Sequence, residues 1–201
     1  KLKDLINTHG IDCEIINHDK NDHKEKIAAE NNQETFGNLS SLLKCFEIAK
    51  KDQSDLIYFV EDDYLHYEHS LVDMLNTYER VSSQHKDEII VCPSDYPFNY
   101  MNNEKTNILI GSQQHWRTIT KMLCTFMISK KMFQKHIDNF EKTCEKRHEP
   151  FEKYLNKILE SEIGISPIKS LAVHMTNVNS SYGLSPFIDI KKLWEENKID
   201  Q

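Results

Sequence analysis

The stretch DLIYFVEDDYLH, residues 55–66, decides how the chain is read. Apolar residues from Leu56 to Val60 run without interruption into three carboxylates, Glu61, Asp62 and Asp63. A run that is apolar on both faces reads as an interior strand of a parallel sheet, because helices cover both faces of such sheets. Carboxylates at the carboxyl end of that strand lie where open α/β sheets hold their ligands. Three adjacent acids repel one another unless a cation sits among them. The hard ions Mg²⁺ and Mn²⁺ take carboxylate oxygens and often hold substrate phosphates as well. The stretch therefore points to a metal-bridged diphosphate, against the competing expectation of a solvated acidic turn.

Working outward, Leu39, Leu42, Leu43, Phe46 and Ala49 recur at helical spacing and predict an amphipathic helix capped by Asn38. Further upstream, KLKDLINTHG (1–10) reads as the last turns of a helix stopped by Gly10, IDCEII (11–16) as a short strand, and NHDKNDHKEK (17–26) as a loop. Downstream, Leu71, Met74, Leu75 and Tyr78 trace one helical face that leads to a strand, EIIVC (88–92). The alternation predicts an α/β fold: a mixed, mostly parallel sheet flanked by helices and joined by right-handed crossovers. Past Pro93 come an aromatic loop (93–106), a hairpin in NILIGSQQHW (107–116) and a strand in MLCTFMI (122–128). Phe133, Ile137 and Phe140 mark a helix, EPFEKYLNKILE (149–160) another with Pro150 in its first turn, and SLAVH (170–174) a last strand before NSSYGLSPF (179–187), which reads as a loop able to fold over a ligand.

The chain of 201 residues suits one domain. A net charge of −7 offers no basic face to nucleic acid. Five cysteines without a CxxC pair read as free thiols in a reducing compartment, so a cytoplasmic protein, or one peripheral at a membrane, is expected. Apolar runs fall far short of the roughly 20 residues of a transmembrane helix. Lys1 in place of Met suggests a fragment or a trimmed start.

The segment 38–75, NLSSLLKCFEIAKKDQSDLIYFVEDDYLHYEHSLVDML, resembles the region around the DxD motif of GT-A fold nucleotide-sugar glycosyltransferases. There an Asn-led helix precedes an apolar strand that ends in the acidic triplet. More weakly, the likeness extends to EIINHDKND (14–22), TKMLCTFMISKKMF (120–133), HEPFEKYL (148–155) and LAVHMT (171–176). It implies a single GT-A-like domain over 1–201, with a nucleotide-binding half (1–95) and an acceptor-side half (96–201). It also implies a transferase that moves a sugar from a nucleotide-diphosphate donor to a hydroxyl of a glycan or glycoconjugate, as in polysaccharide biosynthesis.

Residue by residue, the resemblance makes Asp63 and His174 ligands of Mn²⁺ or Mg²⁺ and turns Glu61 and Asp62 toward the ribose and metal-bound water. Asp19 or Asp22 would contact the base. In an inverting reaction Glu149 would take the acceptor proton, with Glu152 as fallback; a retaining reaction needs no such base. Tyr96 and Trp116, with Tyr100, His115 and Arg117, offer aromatic and planar groups to an acceptor sugar. Arg117, Lys121 or Arg147 would add charge at the diphosphate. The family's first strand has no counterpart here and would lie upstream of Lys1. Two rival readings are a non-catalytic binding module of the same fold and a receiver-like signalling domain, the latter suggested by the strand and acid pair in LIYFVEDDY (56–64).

Overall fold

The structure, a computed structural model, describes residue 10 and residues 12–27, 32–179 and 183–198. The helix expected within 1–9 lies outside these residues. The strand expected at 11–16 is irregular chain over its described residues, and the loop after it contains a 3₁₀ turn, Lys20–His23.

Helix α1, Gln33–Lys51, starts a turn and a half earlier than its apolar spacing suggests. Asn32, not Asn38, is the cap: its side chain accepts from the backbone N–H groups of Glu34 and Thr35, donors the helix itself leaves unpaired. Residues 52–55 turn the chain into β1, Leu56–Phe59. β2, Tyr64–His66, follows the acids directly, and α2, Ser70–His85, leads to β3, Ile89–Val91. The hairpin β4, Ile108–Ile110, and β5, His115–Ile119, is as expected, and β6 is Phe126–Ser129. The helix expected around Phe133 is two short ones, α3, Lys130–Lys135, and α4, Ile137–Thr143, which break at His136. Then come α5, Lys153–Ile158, β7, Ile163–Pro167, β8, Ala172–His174, and α6, Ile190–Glu196.

The main sheet has six strands in the order β1-β6-β3-β7-β5-β4, and β2 pairs with β8 in a separate two-stranded sheet. The expectation of a mostly parallel sheet with β1 inside it is overturned: only β3 and β7 run parallel, and β1 sits at an edge, paired antiparallel to β6. Burial on both faces makes a strand apolar throughout, but it says nothing about the direction of its neighbours. β6 inserts between β1 and β3, so the two halves of the chain share one sheet.

The pleat sends alternate residues into two cores. Ile90, Phe126 and Ile128 meet α1, α4 and α5 through Leu43, Phe46, Phe140 and Leu155 on one side. Ile89, Val91 and Met127 meet α2 on the other through Met74 and Val81, together with Trp116. The inner face of α2 is rotated from the expected stripe: Asp73 and Thr77 point inward, while Leu71 and Leu75 are exposed. The reason is polar. Asp73 accepts from Gln113 N and Gln114 Nε2 and Thr77 Oγ1 from Ser112 N, so the helix holds the β4–β5 turn. Gly111 in that turn lies so close to the Trp116 indole that a methyl group there would collide with it.

Candidate functional site

Glu61 leaves β1 against β6. Its backbone N–H donates to Thr125 Oγ1 at 3.0 Å, and that hydroxyl donates back to Glu61 Oε2 at 3.3 Å. Asp62 is the exposed tip of the turn into β2. Asp63 is fixed by the small sheet, in which Tyr64 stands opposite His174. Its carbonyl accepts from Met175 N at 2.8 Å. Its Oδ2 lies 2.8 Å from His174 Nε2 and accepts from Thr176 Oγ1 at 3.1 Å. The Tyr64 ring stacks on the His174 imidazole, centroids 4.7 Å apart, and Tyr64 Oη meets Tyr96 Oη at 2.9 Å. A stacked ring and a cross-strand pair thus orient the histidine.

The carboxyls of Glu61 and Glu152 are both raised. Burial first, and the charge of Asp63 second, push the Glu61 carboxyl up to about 7. Glu152, at the start of α5, is also raised by burial, and it feels His174 and Glu149. Because Glu61 in turn feels Glu152, the four groups Glu61, Asp63, Glu152 and His174 form one electrostatic unit.

Asp63 and His174, both named from the sequence as metal ligands, are therefore brought together. Among the described residues no three His, Cys, Asp or Glu side chains converge as a ready ligand set. The pair still fits a divalent ion in kind: a carboxylate oxygen faces an imidazole nitrogen whose other nitrogen, Nδ1, is buried and unpartnered. Imidazole is a poor ligand for Mg²⁺, so this donor pair favours Mn²⁺ of the two. Glu149 is exposed one residue before Pro150, while Glu152, not Glu149, is the half-buried acid coupled to the cluster.

Tyr96 and Trp116, expected to present faces to an acceptor, lie fully inside the two cores and present none. Tyr96 instead backs Tyr64. Arg117 is bound by buried Asp95 and its guanidinium lies 4.2 Å over the Tyr100 ring, so its charge is committed within the fold. Lys121 pairs with Glu104 at 3.2 Å. The loop read as a cover lies partly outside the described residues.

Asp19 caps the 3₁₀ turn by accepting from Asn21 N and lines an open cleft of about 710 Å³ with Asn17, His18, Gly37 and Ser41. Phe46 of α1 packs edge-on against Phe59 of β1, centroids 5.2 Å apart. The short link makes α1 and β1 run in opposite directions. Ser41 then lies about 7.5 Å beyond Phe46 along the helix, and Glu61 about 6.6 Å beyond Phe59 along the strand.

Sequence reading passed over Thr125 and Thr176, and the first left a signal, a lone polar residue in the apolar run MLCTFMI. Compared with known proteins, the chain matches no family model and no curated sequence. Among the described residues no helix is long and apolar enough to cross a membrane.

Proposed function

We propose that the protein is a metal-dependent glycosyltransferase that moves a sugar from a nucleotide-diphosphate donor to a hydroxyl acceptor. The observation that carries this reading is the 2.8 Å approach of His174 Nε2 to Asp63 Oδ2, which joins the end of the acidic triplet to a histidine on another strand. Asp63 and His174 would hold the ion. Bound there, a divalent ion supplies Lewis-acid stabilisation of the leaving diphosphate. Tyr64 keeps the imidazole plane fixed and Thr176 keeps the carboxylate turned toward it. Glu61, held by Thr125, and exposed Asp62 line the approach for polar groups of the donor. For an inverting reaction Glu152 replaces Glu149 as the better placed proton acceptor, because it shares the field of His174 and Glu61. The open cleft beside Asp19 is large enough for a nucleoside.

A thermal-shift panel of UDP-, GDP-, dTDP- and CMP-sugars with Mn²⁺ and with chelator tests the reading, since a ligand bound only by the native state raises Tm. A rise with one nucleotide that disappears in chelator is expected. No rise with any of them would overturn the proposal.

A further inference from the structure

We infer that the protein forms a two-fold dimer in which β4 of one copy pairs antiparallel with β4 of a second copy, so that the main sheet runs on across both chains. The inference stands on the sheet edge and does not depend on the reading of the acidic site.

β4 ends the six-stranded sheet, and among the described residues it pairs with β5 alone. Its edge is longer than the three ladder residues. Thr106 Oγ1 donates to Thr118 O at 2.7 Å, Asn107 N donates to Thr118 Oγ1 at 2.9 Å, and Thr118 N donates to Asn107 O at 3.0 Å. At the other end Gly111 N donates to Gln114 O at 2.9 Å. In an antiparallel ladder, residues that bond the neighbouring strand alternate with residues whose N–H and C=O point away from it. Asn107 and Gly111 bond toward β5, so the backbone groups of Ile108 and Ile110 point to the open edge. Their side chains are in the open as well, 57 % and 59 % exposed. Ile108 stands opposite Arg117, whose guanidinium lies 4.2 Å from the exposed Tyr100 ring, so an aromatic ring borders the isoleucines on the same face.

Proteins guard free sheet edges with charge, proline or bulges. This molecule guards one edge and leaves the other bare. β1, the opposite edge, is bracketed by Asp55 and by Glu61, Asp62 and Asp63. Two β1 strands paired antiparallel would set Asp55 of each copy toward the acids of the other, and like charges across strands repel. Residues 106–114, TNILIGSQQ, hold no charged residue and no proline. The order of side chains selects a second copy as the occupant. Ile108, Leu109 and Ile110 read the same in both directions, so antiparallel pairing about Leu109 sets each Ile108 against the second copy's Ile110. Lys105 then faces the second copy's Gln113, and no like charges meet. This register also turns the outward backbone groups of Ile108 and Ile110 into hydrogen-bonded pairs, roughly four bonds in all. Such an interface uses the same patch on both copies and closes at two.

Sedimentation equilibrium over a dilution series of the intact chain should show a species of twice the 23.7 kDa chain mass at the concentrated end. Ile108→Lys together with Ile110→Lys charges the edge without touching the bonds to β5. The pair should weaken self-association about tenfold or more, with an unchanged circular dichroism spectrum. Leu109→Cys reads the register. With Cys13→Ser and Cys45→Ser removing the two thiols that are not buried, it should give a disulfide-linked dimer in oxidised glutathione, because residues directly opposite across strands lie within disulfide reach. The same chain with Leu109 kept should not cross-link. A parent that stays monomeric at every concentration, a dimer that the two lysines leave intact, or a dimer that Leu109→Cys does not cross-link would each overturn the inference. In a monomeric parent, slow exchange of the Ile108 and Ile110 amides would assign the edge to a segment of the same chain instead.

Discussion

Asp95→Ala is the sharpest probe of how the second half of the chain is held. The Asp95 carboxylate is 3 % exposed and accepts from Arg117, from Tyr100 Oη at 2.5 Å and from Ser185 Oγ, while its own backbone N–H donates to Ser170 Oγ. Truncation leaves Arg117, a residue only 8 % exposed, without its counter-charge. Breaking a buried pair from one side costs about 3–5 kcal/mol, a large share of the roughly 5–15 kcal/mol that a domain has. Replacing both members, Asp95→Leu with Arg117→Met, removes the stranded charge and should return stability to within about 1–2 kcal/mol of the parent. Urea unfolding followed by the fluorescence of buried Trp116 measures both, with the slope against urea checking that the unfolding reaction is unchanged. If Asp95→Ala loses less than about 1 kcal/mol, Arg117 reaches water on its own, and the claim that its charge is committed within the fold is wrong.

Three further outcomes are expected. Asp63→Ala should remove the Mn²⁺-dependent thermal shift with sugar nucleotide while leaving the circular dichroism spectrum unchanged; an undiminished shift would put the ion elsewhere. Glu47 has its carboxyl lowered from 4.5 to about 2, chiefly by the Lys26 bond, so its stabilisation is complete above pH 4.5 and is lost as the pH falls toward 2. Glu47→Gln should therefore narrow the Tm gap to the parent on acidification over that window, and a gap constant from pH 7 to pH 2 would contradict the assignment. Gly111→Ala pushes a methyl group into the Trp116 indole and should cost about 1–3 kcal/mol in urea unfolding; a neutral result would mean that the hairpin turn shifts freely.

Helix α1 was legible because its apolar residues repeat with a period near 3.6, and strand β1 because its apolar run is unbroken and short. The cap of α1 was misplaced because three asparagines, Asn31, Asn32 and Asn38, stand near its start and only the backbone turn at Asn32 decides among them. β7 was invisible: Gly164 and Pro167 look like turn residues, yet Gly164 is where Leu159 packs too closely for a side chain. Strand direction was misread because Leu56 to Phe59 encode burial, and their partner β6 is set by contacts about seventy residues away. At the site, the acidic triplet announced itself through its charge. The pairing of Asp63 with His174 needed a resemblance, since two three-residue strands carry no periodic signal. Tyr96 and Trp116 were misplaced because an aromatic side chain reads the same in a core as in a binding face.

The small sheet carries a consequence of its own. β2 and β8 are three residues each and stand apart from the six-stranded sheet. Short ladders of this kind sit at the low end of the local opening free energies within a fold. The contact between Asp63 and His174 then exists only while this clasp is shut, and opening it would draw Tyr64 and Ala172 out of the first core. Amide hydrogens of residues 64–66 and 172–174 should exchange faster than those of β3 and β6, and an ion bridging the two side chains would slow them. Because the clasp is built partly of core residues, the geometry at Asp63 and His174 is tied to the packing of the first core.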